Sequence, residues 1–300
     1  MSQVEAIKAE AETGPTPEAE RKRGWVGYLL LLPGALWLAV FFVVPLFSLV
    51  STSLYDPAGS LETGYQMTGY VANYTTVLED YSEQFIRSMV YAGLATLICI
   101  VLGYPLAYAI AFKAGRWKNL MLVAVIAPFF TSFLIRTISW QLLLADQGWI
   151  VETLKFLHIL GPDGHLLATP VAVVTGITYN FLPFMVLPLY ASLEKIDPRL
   201  MEAGADLYAS PFTTFRKITL PLSMPGLVGG TLLTFIPAAG DYINAQLLGN
   251  TQTQMVGNVI QKLFDGGSYP EAAALSVTLM VVIVVMVLLY VRRAGTEDLL

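Results

Sequence analysis

Long apolar stretches alternate with short polar intervals along the chain. Six stand out, at about 25–52, 85–112, 119–144, 169–192, 222–240 and 271–291. Each is long enough to cross a hydrocarbon core of about 30 Å as a helix. The first contains Pro33 and Pro45 and is expected to kink. The third is interrupted by Pro128. In the second, Gly103, Ala107 and Ala111 recur at four-residue spacing, and in the fifth Gly226 and Gly230 form a GxxxG. Both patterns let helix backbones approach closely. The expectation is an all-α membrane protein with six transmembrane helices over 25–293. Residues 1–24, rich in Glu, Ala, Thr and Pro, are expected to be a disordered tail, and 294–300 a second short tail. Residues 56–84 read as a polar loop rich in Tyr and acids.

The longest polar interval of the second half, 194–221, follows a different pattern. Asp197-Pro198 pairs an N-cap with proline at the first helical position, and Ser210-Pro211 repeats the signal. Leu200, Ala203, Gly204 and Leu207 then fall on one face of a first short helix. Phe212, Phe215 and Ile218 belong to a second, with a corner between them. An amphipathic helix pair between two membrane spans either lies on the lipid surface or docks into a groove of a partner.

The residues of this interval resemble the EAA loop of permease subunits of binding-protein-dependent ABC importers. That pattern is Glu-Ala-Ala, three residues, Gly, nine residues, Ile, one residue, Leu-Pro. Glu202, Ala203, Ile218, Leu220 and Pro221 occupy matching positions. Gly204 stands in place of the second Ala, and Tyr208 in place of the Gly, where a residue without a Cβ turns freely. The resemblance implies that 194–221 is a coupling loop. Its contact residues with the ATPase would be Leu200, Glu202, Ala203, Gly204, Leu207, Tyr208, Ser210 and Pro211. Further stretches resemble the polyamine (spermidine/putrescine) importer permeases: FFTSFLIRTISW from Phe129, YNFLPFMVLPLYASLEK from Tyr179, GDYINAQLLGN from Gly240 and GNVIQ from Gly257. This implies a type I importer fold in a bacterial inner membrane. It also implies two ATPase subunits, a second related permease and an external binding protein as partners, with a polyamine as substrate.

Composition agrees with a membrane protein: 55% of residues are hydrophobic, 13% are charged, and mean hydropathy is +0.62. A soluble domain would carry about twice that charge. The single cysteine, Cys99, excludes an internal disulfide framework. Charge also orients the stack. With the N-terminus in the cytoplasm, 13 of the 17 basic residues lie inside, among them Lys113, Arg116, Lys118, Lys195, Arg199, Arg216, Lys217, Arg292 and Arg293. Both termini and the coupling loop then face the cytoplasm, as the positive-inside rule requires. The outer segments hold eleven acids against Arg87, Lys155 and Lys262. Such a surface concentrates cations, although exported loops also avoid Lys and Arg for topological reasons.

No reaction chemistry is encoded. The chain has no GxxxxGK[ST] for nucleotide phosphates, no GxSxG and no HExxH. It is therefore not expected to be an enzyme, to hold a cofactor or metal, or to bind nucleic acid. ATP and Mg would be bound by the partner subunits. His158, Asp163 and His165 fall close together in an outer loop and read as solvated residues rather than metal ligands. Arg136 lies inside the third stretch and is a gate or a structural salt-bridge partner. Asp241 and Tyr242 follow the expected break after Pro237 and Gly240, pairing a carboxylate with an aromatic face for a cation. Tyr179 and Asn180, mid-span, are polar groups for the substrate path or for hydrogen bonds between helices. An importer of another small solute and an ion-coupled secondary transporter remain alternatives.

Overall fold

The computed structural model describes residues 25–60 and 62–294, and nearly all of its regular structure is helical. The two tails, with Lys8, Arg21, Lys22 and Arg23, lie outside the described residues apart from Ala294. The described residues divide into two compact units, one up to Leu49 and one from Val50 onward. In the first, α1 (Trp25–Leu38) passes through a π turn (Ala39–Val43) into α2 (Val44–Thr52), whose last residues belong to the second. Leu30, Trp37, Phe41 and Phe47 along it are exposed, as expected of a helix that is apolar all round.

The π turn has a local cause. Pro45 has no N–H to give, and its ring would press on the carbonyl four residues back. In the widened turn Val44 N–H instead reaches Ala39 O. The same device precedes Pro221, where Leu220 N–H bonds Phe215 O across the π turn Phe215–Thr219. Helix and proline thereby coexist without a break.

In the second unit, α3 runs from Ala72 to Tyr108 and ends in a π turn (Ala109–Lys113). It begins well before Phe85, so the polar loop expected over 56–84 is helical in its second half. Average hydropathy hides this start because only one face is apolar. Val77 is buried and packs with Val256, Val259 and Leu275. The Asn73 amide anchors the helix start by donating to Ser53 O (3.0 Å) and Tyr55 O (2.9 Å). A kink at Tyr81, with φ −121° and ψ 17°, joins this polar part to the apolar remainder.

The third apolar stretch is not one straight span. α4 (Lys118–Ile126) ends in a 3₁₀ turn (Ala127–Phe130), Thr131 and Ser132 are extended, and α5 (Phe133–Leu144) then leads to α6 (Trp149–Phe156). The two arms meet at 96°. Pro128 supplies no donor at the break, and Thr131 Oγ1 satisfies the Pro128 carbonyl at 2.8 Å. Among the described residues five helices are long and apolar enough to cross a membrane, six if the bent pair is one span.

The centre of the second unit is α7 (Pro170–Leu193) packed against α3 and against α10 (Leu220–Ala239). Small residues set the distance. A Cβ added to Gly103 of α3 would meet Met185 Cγ at 3.1 Å. On α10, a Cβ at Gly226 would lie 2.5 Å from Pro188 O, and one at Gly230 2.9 Å from Met185 Sδ. Met185, Val186, Leu189 and Leu193 are fully buried in this seam. Tyr104 and Ser223 hydroxyls, 2.7 Å apart, pin α3 to α10 within it. Beyond α10 the chain forms α11 (Ile243–Leu248), α12 (Val256–Asp265) and α13 (Tyr269–Ala294).

The glycine seam gives a controlled test. Gly226→Ala places a methyl against backbone, and the expected loss of stability is about 1–3 kcal/mol. Gly229→Ala meets nothing closer than Pro188 Cβ at 4.0 Å and is expected to be neutral. Thermal unfolding of the purified variants in detergent checks the contrast.

Candidate functional site

Two features stand at opposite ends of the α7–α10 pair. The first is the connection between those helices. α8 (Pro198–Asp206) starts where the Asp197 carboxylate accepts Arg199 N–H at 3.0 Å. α9 (Pro211–Thr214) starts where Ser210 Oγ accepts Thr213 N–H at 3.2 Å. α9 is not a separate helix, since it runs through the π turn into α10. Between α8 and α9, Tyr208 N–H bonds Ala205 O (2.9 Å) and Ala209 N–H bonds Gly204 O (3.1 Å). That pair of bonds is the Schellman ending of a helix, which requires a left-handed residue after the cap. Tyr208 supplies it with φ of +57°. A residue with a Cβ is strained there by roughly 1–2 kcal/mol.

The stripe expected on α8 divides in the structure. Gly204 is buried against its own chain: a Cβ there would sit 3.1 Å from Thr214 Oγ1 and 3.4 Å from Ile218 Cδ1. Leu200, Glu202 and Ala203 are exposed, and so are Ser210 and Pro211. Leu207, Tyr208 and Phe212 are 82%, 99% and 71% exposed, forming an uncovered apolar tip. Lys118, at the start of α4, bonds Glu194 at the end of α7 and lies 5.4 Å over the Tyr190 ring. Lys118 and the Tyr190 hydroxyl hold the Glu194 carboxyl below the usual carboxylate range.

The second feature is a chain of buried amides and hydroxyls. Asn180 Nδ2, on α7, donates to Thr137 Oγ1 of α5 (3.2 Å) and to Asn244 Oδ1 of α11 (3.0 Å). Asn244 Nδ2 donates to Asp241 Oδ2. Asp241 Oδ1 accepts the amides of Ile243 (2.9 Å) and Asn244 (3.2 Å). Asp241 is 7% exposed, so its carboxylate organises its own chain and is not presented as a cation contact. An aspartate accepting the amides two and three residues ahead starts a helix in this way. Sequence reasoning missed Asn244 and Thr137. The signal for Asn244 was its place three residues after an aspartate that follows Pro237 and Gly240; Thr137 carried none.

The remaining candidates separate. Arg136 is 8% exposed, with its guanidinium 5.5 Å from the Phe129 ring centre and 5.6 Å from that of Phe133. Its Nε and Nη1 have no hydrogen-bond partner, and no carboxylate pairs with it among the described residues. The salt bridge expected for it is replaced by two aromatic faces, which attract a cation without a charge. Tyr179 meets Trp140 edge-on at 5.3 Å. Tyr242 is exposed beside the polar chain, with its carbonyl accepting Asn258 Nδ2 at 2.8 Å. His158, Asp163 and His165 are exposed, and no group of three or more metal-ligating side chains gathers among the described residues.

These features, a capped helical loop between close-packed apolar helices, are shared with solved structures. The solved chain of a bacterial alginate ABC transporter, in complex with an alginate-pentasaccharide-bound periplasmic protein, shares this fold. It superposes with a TM-score of 0.72 at 21% identity, over 91% of this chain and 96% of that one. Residues 99–294 match the family described as binding-protein-dependent transport system inner membrane component, and the chain belongs to that family. The spermidine/putrescine transport system permease protein PotB of Escherichia coli K12 is 38% identical over 262 residues, covering 86% of this chain and 94% of the relative. The Haemophilus influenzae PotB is 35% identical, over 85% and 90%. The inner membrane ABC transporter permease protein YdcU of Escherichia coli K12 is 30% identical, over 91% of each chain.

The polar chain predicts an order of stabilities. Asn244→Ala takes away one of the two acceptors of Asn180 Nδ2 and the side-chain donor to Asp241, with an expected loss of about 2–3 kcal/mol. Thr137→Ser keeps the hydroxyl that meets Asn180 and loses only a methyl, and is expected to cost about 1 kcal/mol. Melting curves of the detergent-solubilised variants check the ranking.

Proposed function

We propose that the chain is the six-span permease subunit of an ATP-driven importer that carries polyamines, spermidine and putrescine, into the cytoplasm. The observation that carries this reading is the 38% identity to a spermidine/putrescine permease across 86% of the chain. That alignment is much broader than a shared loop motif. Both termini and the loop from Glu194 to Pro221 face the cytoplasm in this reading, supported by the basic residues Lys113, Arg116, Lys118, Arg216, Lys217, Arg292 and Arg293. Substrate arrives on an external binding protein and passes between this chain and a second, related permease. Two partner ATPase subunits bind ATP and Mg, and their closure moves the loop. The exposed Leu200, Ala203 and Leu207 are its contact face. Tyr179 and Tyr242 offer aromatic faces to the methylenes and ammonium groups of the substrate. Asp241, engaged by Asn244, holds that wall in register.

Two experiments test the reading. The complex reconstituted in liposomes is expected to raise its ATP hydrolysis several-fold with spermidine-loaded or putrescine-loaded binding protein. Stimulation by an anionic solute instead would leave only the permease class standing. In a Cys99→Ser background, a cysteine replacing Lys217 is expected to resist an impermeant thiol reagent in intact cells, whereas one replacing Gly164 reacts. The reverse labelling overturns the orientation.

A further inference from the structure

The corner of the coupling loop combines two observations that do not explain one another. Tyr208 occupies a left-handed backbone position, φ +57°, where the Schellman ending of α8 favours glycine. Its ring is 99% exposed and touches nothing in this chain that would offset the strain. A strained residue persists when something over-determines it. Here the chain's own contacts do not. Leu207, the preceding residue, and Phe212, in the first turn of α9, are exposed apolar side chains of the same corner.

The tip must be covered by lipid or by protein, and its charges distinguish the two. Amphipathic segments that lie on anionic lipid carry an excess of Lys and Arg. The loop from Glu194 to Thr219 holds Lys195, Arg199, Arg216 and Lys217 against Glu194, Asp197, Glu202 and Asp206, so it is neutral. The acids Glu202 and Asp206 lie on α8, Glu202 at its middle and Asp206 at its end next to Leu207. A bilayer surface gains nothing from that arrangement, whereas a protein groove with an apolar floor and a basic rim fits it. Large aromatics that bury fully in such pockets dominate binding energy at interfaces.

We propose that Tyr208 anchors this permease to its ATPase subunit and selects that subunit over those matched to a glycine-bearing loop. The inference rests on the coupling-loop reading above and adds a specific residue to it. Strain relief and contact loss predict opposite signs, which makes the substitution decisive. Tyr208→Gly removes the strain and the ring together. If the ring were only tolerated, the variant would bind at least as well as the parent.

The test titrates the purified ATPase subunit of this importer onto the full-length permease pair in nanodiscs. Tyr208→Gly is expected to weaken binding tenfold or more while the nanodisc particle keeps its size and melts no lower than the parent. Tyr208→Phe, which retains the ring, is expected to stay within about threefold of the parent. An ATPase subunit taken from an importer whose permease has glycine at this position is expected to prefer the Gly variant. Unchanged or tighter binding of Tyr208→Gly to its own ATPase subunit overturns the proposal, and so does a Phe variant as weak as the Gly variant. Ala203→Asp in the same assay separates the two levels of inference. If it too binds normally, the docking reading itself fails. An environment-sensitive probe on Tyr208→Cys, in the Cys99→Ser background, covers the remaining occupant. Quenching by brominated lipid without the ATPase subunit assigns the tip to the bilayer and overturns the proposal.

Discussion

The fold depends on the close approach of α7 and α10. At Gly226 the distance is set by backbone against backbone: any side chain there would meet the carbonyl of Pro188. Four residues on, Gly230 repeats the fit against Met185. In lipid no hydrophobic force drives helices together, so packing of this kind, with a few buried hydrogen bonds, supplies the association. The Tyr104–Ser223 hydroxyl pair adds such a bond from α3. The loop from Glu194 to Pro221 and the polar chain inherit their positions from this contact. The loop is the connection between α7 and α10, and the polar chain joins Asn180 of α7 to Asp241, two residues past the end of α10.

Membrane burial also governs where the helices depart from regularity. Every backbone group inside hydrocarbon needs a partner within the protein. Pro45 and Pro221 each deprive a helix of a donor, and each is preceded by a π turn that re-pairs the neighbouring amides. At Pro128 the chain takes the other course: it breaks, and the Thr131 hydroxyl satisfies the exposed carbonyl. The sequence shows all three prolines but not which course each follows. That depends on what the residues after the proline do. Thr131 and Ser132 can leave the helix with a side-chain bond in hand, whereas Leu222 and Ser223 continue into a seam already fixed by Gly226.

Much of the coupling loop was legible because its signals are local. Asp197-Pro198 and Ser210-Pro211 start helices through bonds that span two or three residues. The stripe on α8 was read less well. Leu200, Ala203, Gly204 and Leu207 share a face by spacing, yet the loop folds back so that Gly204 meets Thr214 and Ile218, and the others are left outside. Spacing places residues on a helix but not the helix on its neighbour. The same limit hid the polar chain. Asn180 was visible as a polar group in a span, but its partners come from α5 and α11, distant in sequence. The polar start of α3 was missed for a different reason: one buried valine and one asparagine hold it, too few to raise a hydropathy average.

The close packing of α7 on α10 bears on how the two helices can move. Asn180 precedes the end of α7 by thirteen residues, about 20 Å at 1.5 Å per residue. Between those points glycines bring α10 directly onto the α7 backbone, at Pro188 O and Met185 O, and buried side chains such as Met185 and Leu189 fill the rest of the seam. Packed elements of this kind move as bodies rather than deform. Any displacement of the loop that joins them would therefore be shared by both helices. α5 stands outside that pair. Only the longer Thr137 bonds, 3.2 Å to Asn180 and 3.4 Å to Asn244, tie it to the polar chain. Next to Thr137, Arg136 rests on Phe129 and Phe133 without a fixed hydrogen bond. α5 also meets α7 through ring contacts, Phe133 with Phe181 and Trp140 with Tyr179, so apolar faces and long hydrogen bonds, rather than glycine contacts, hold the bent stretch to the pair.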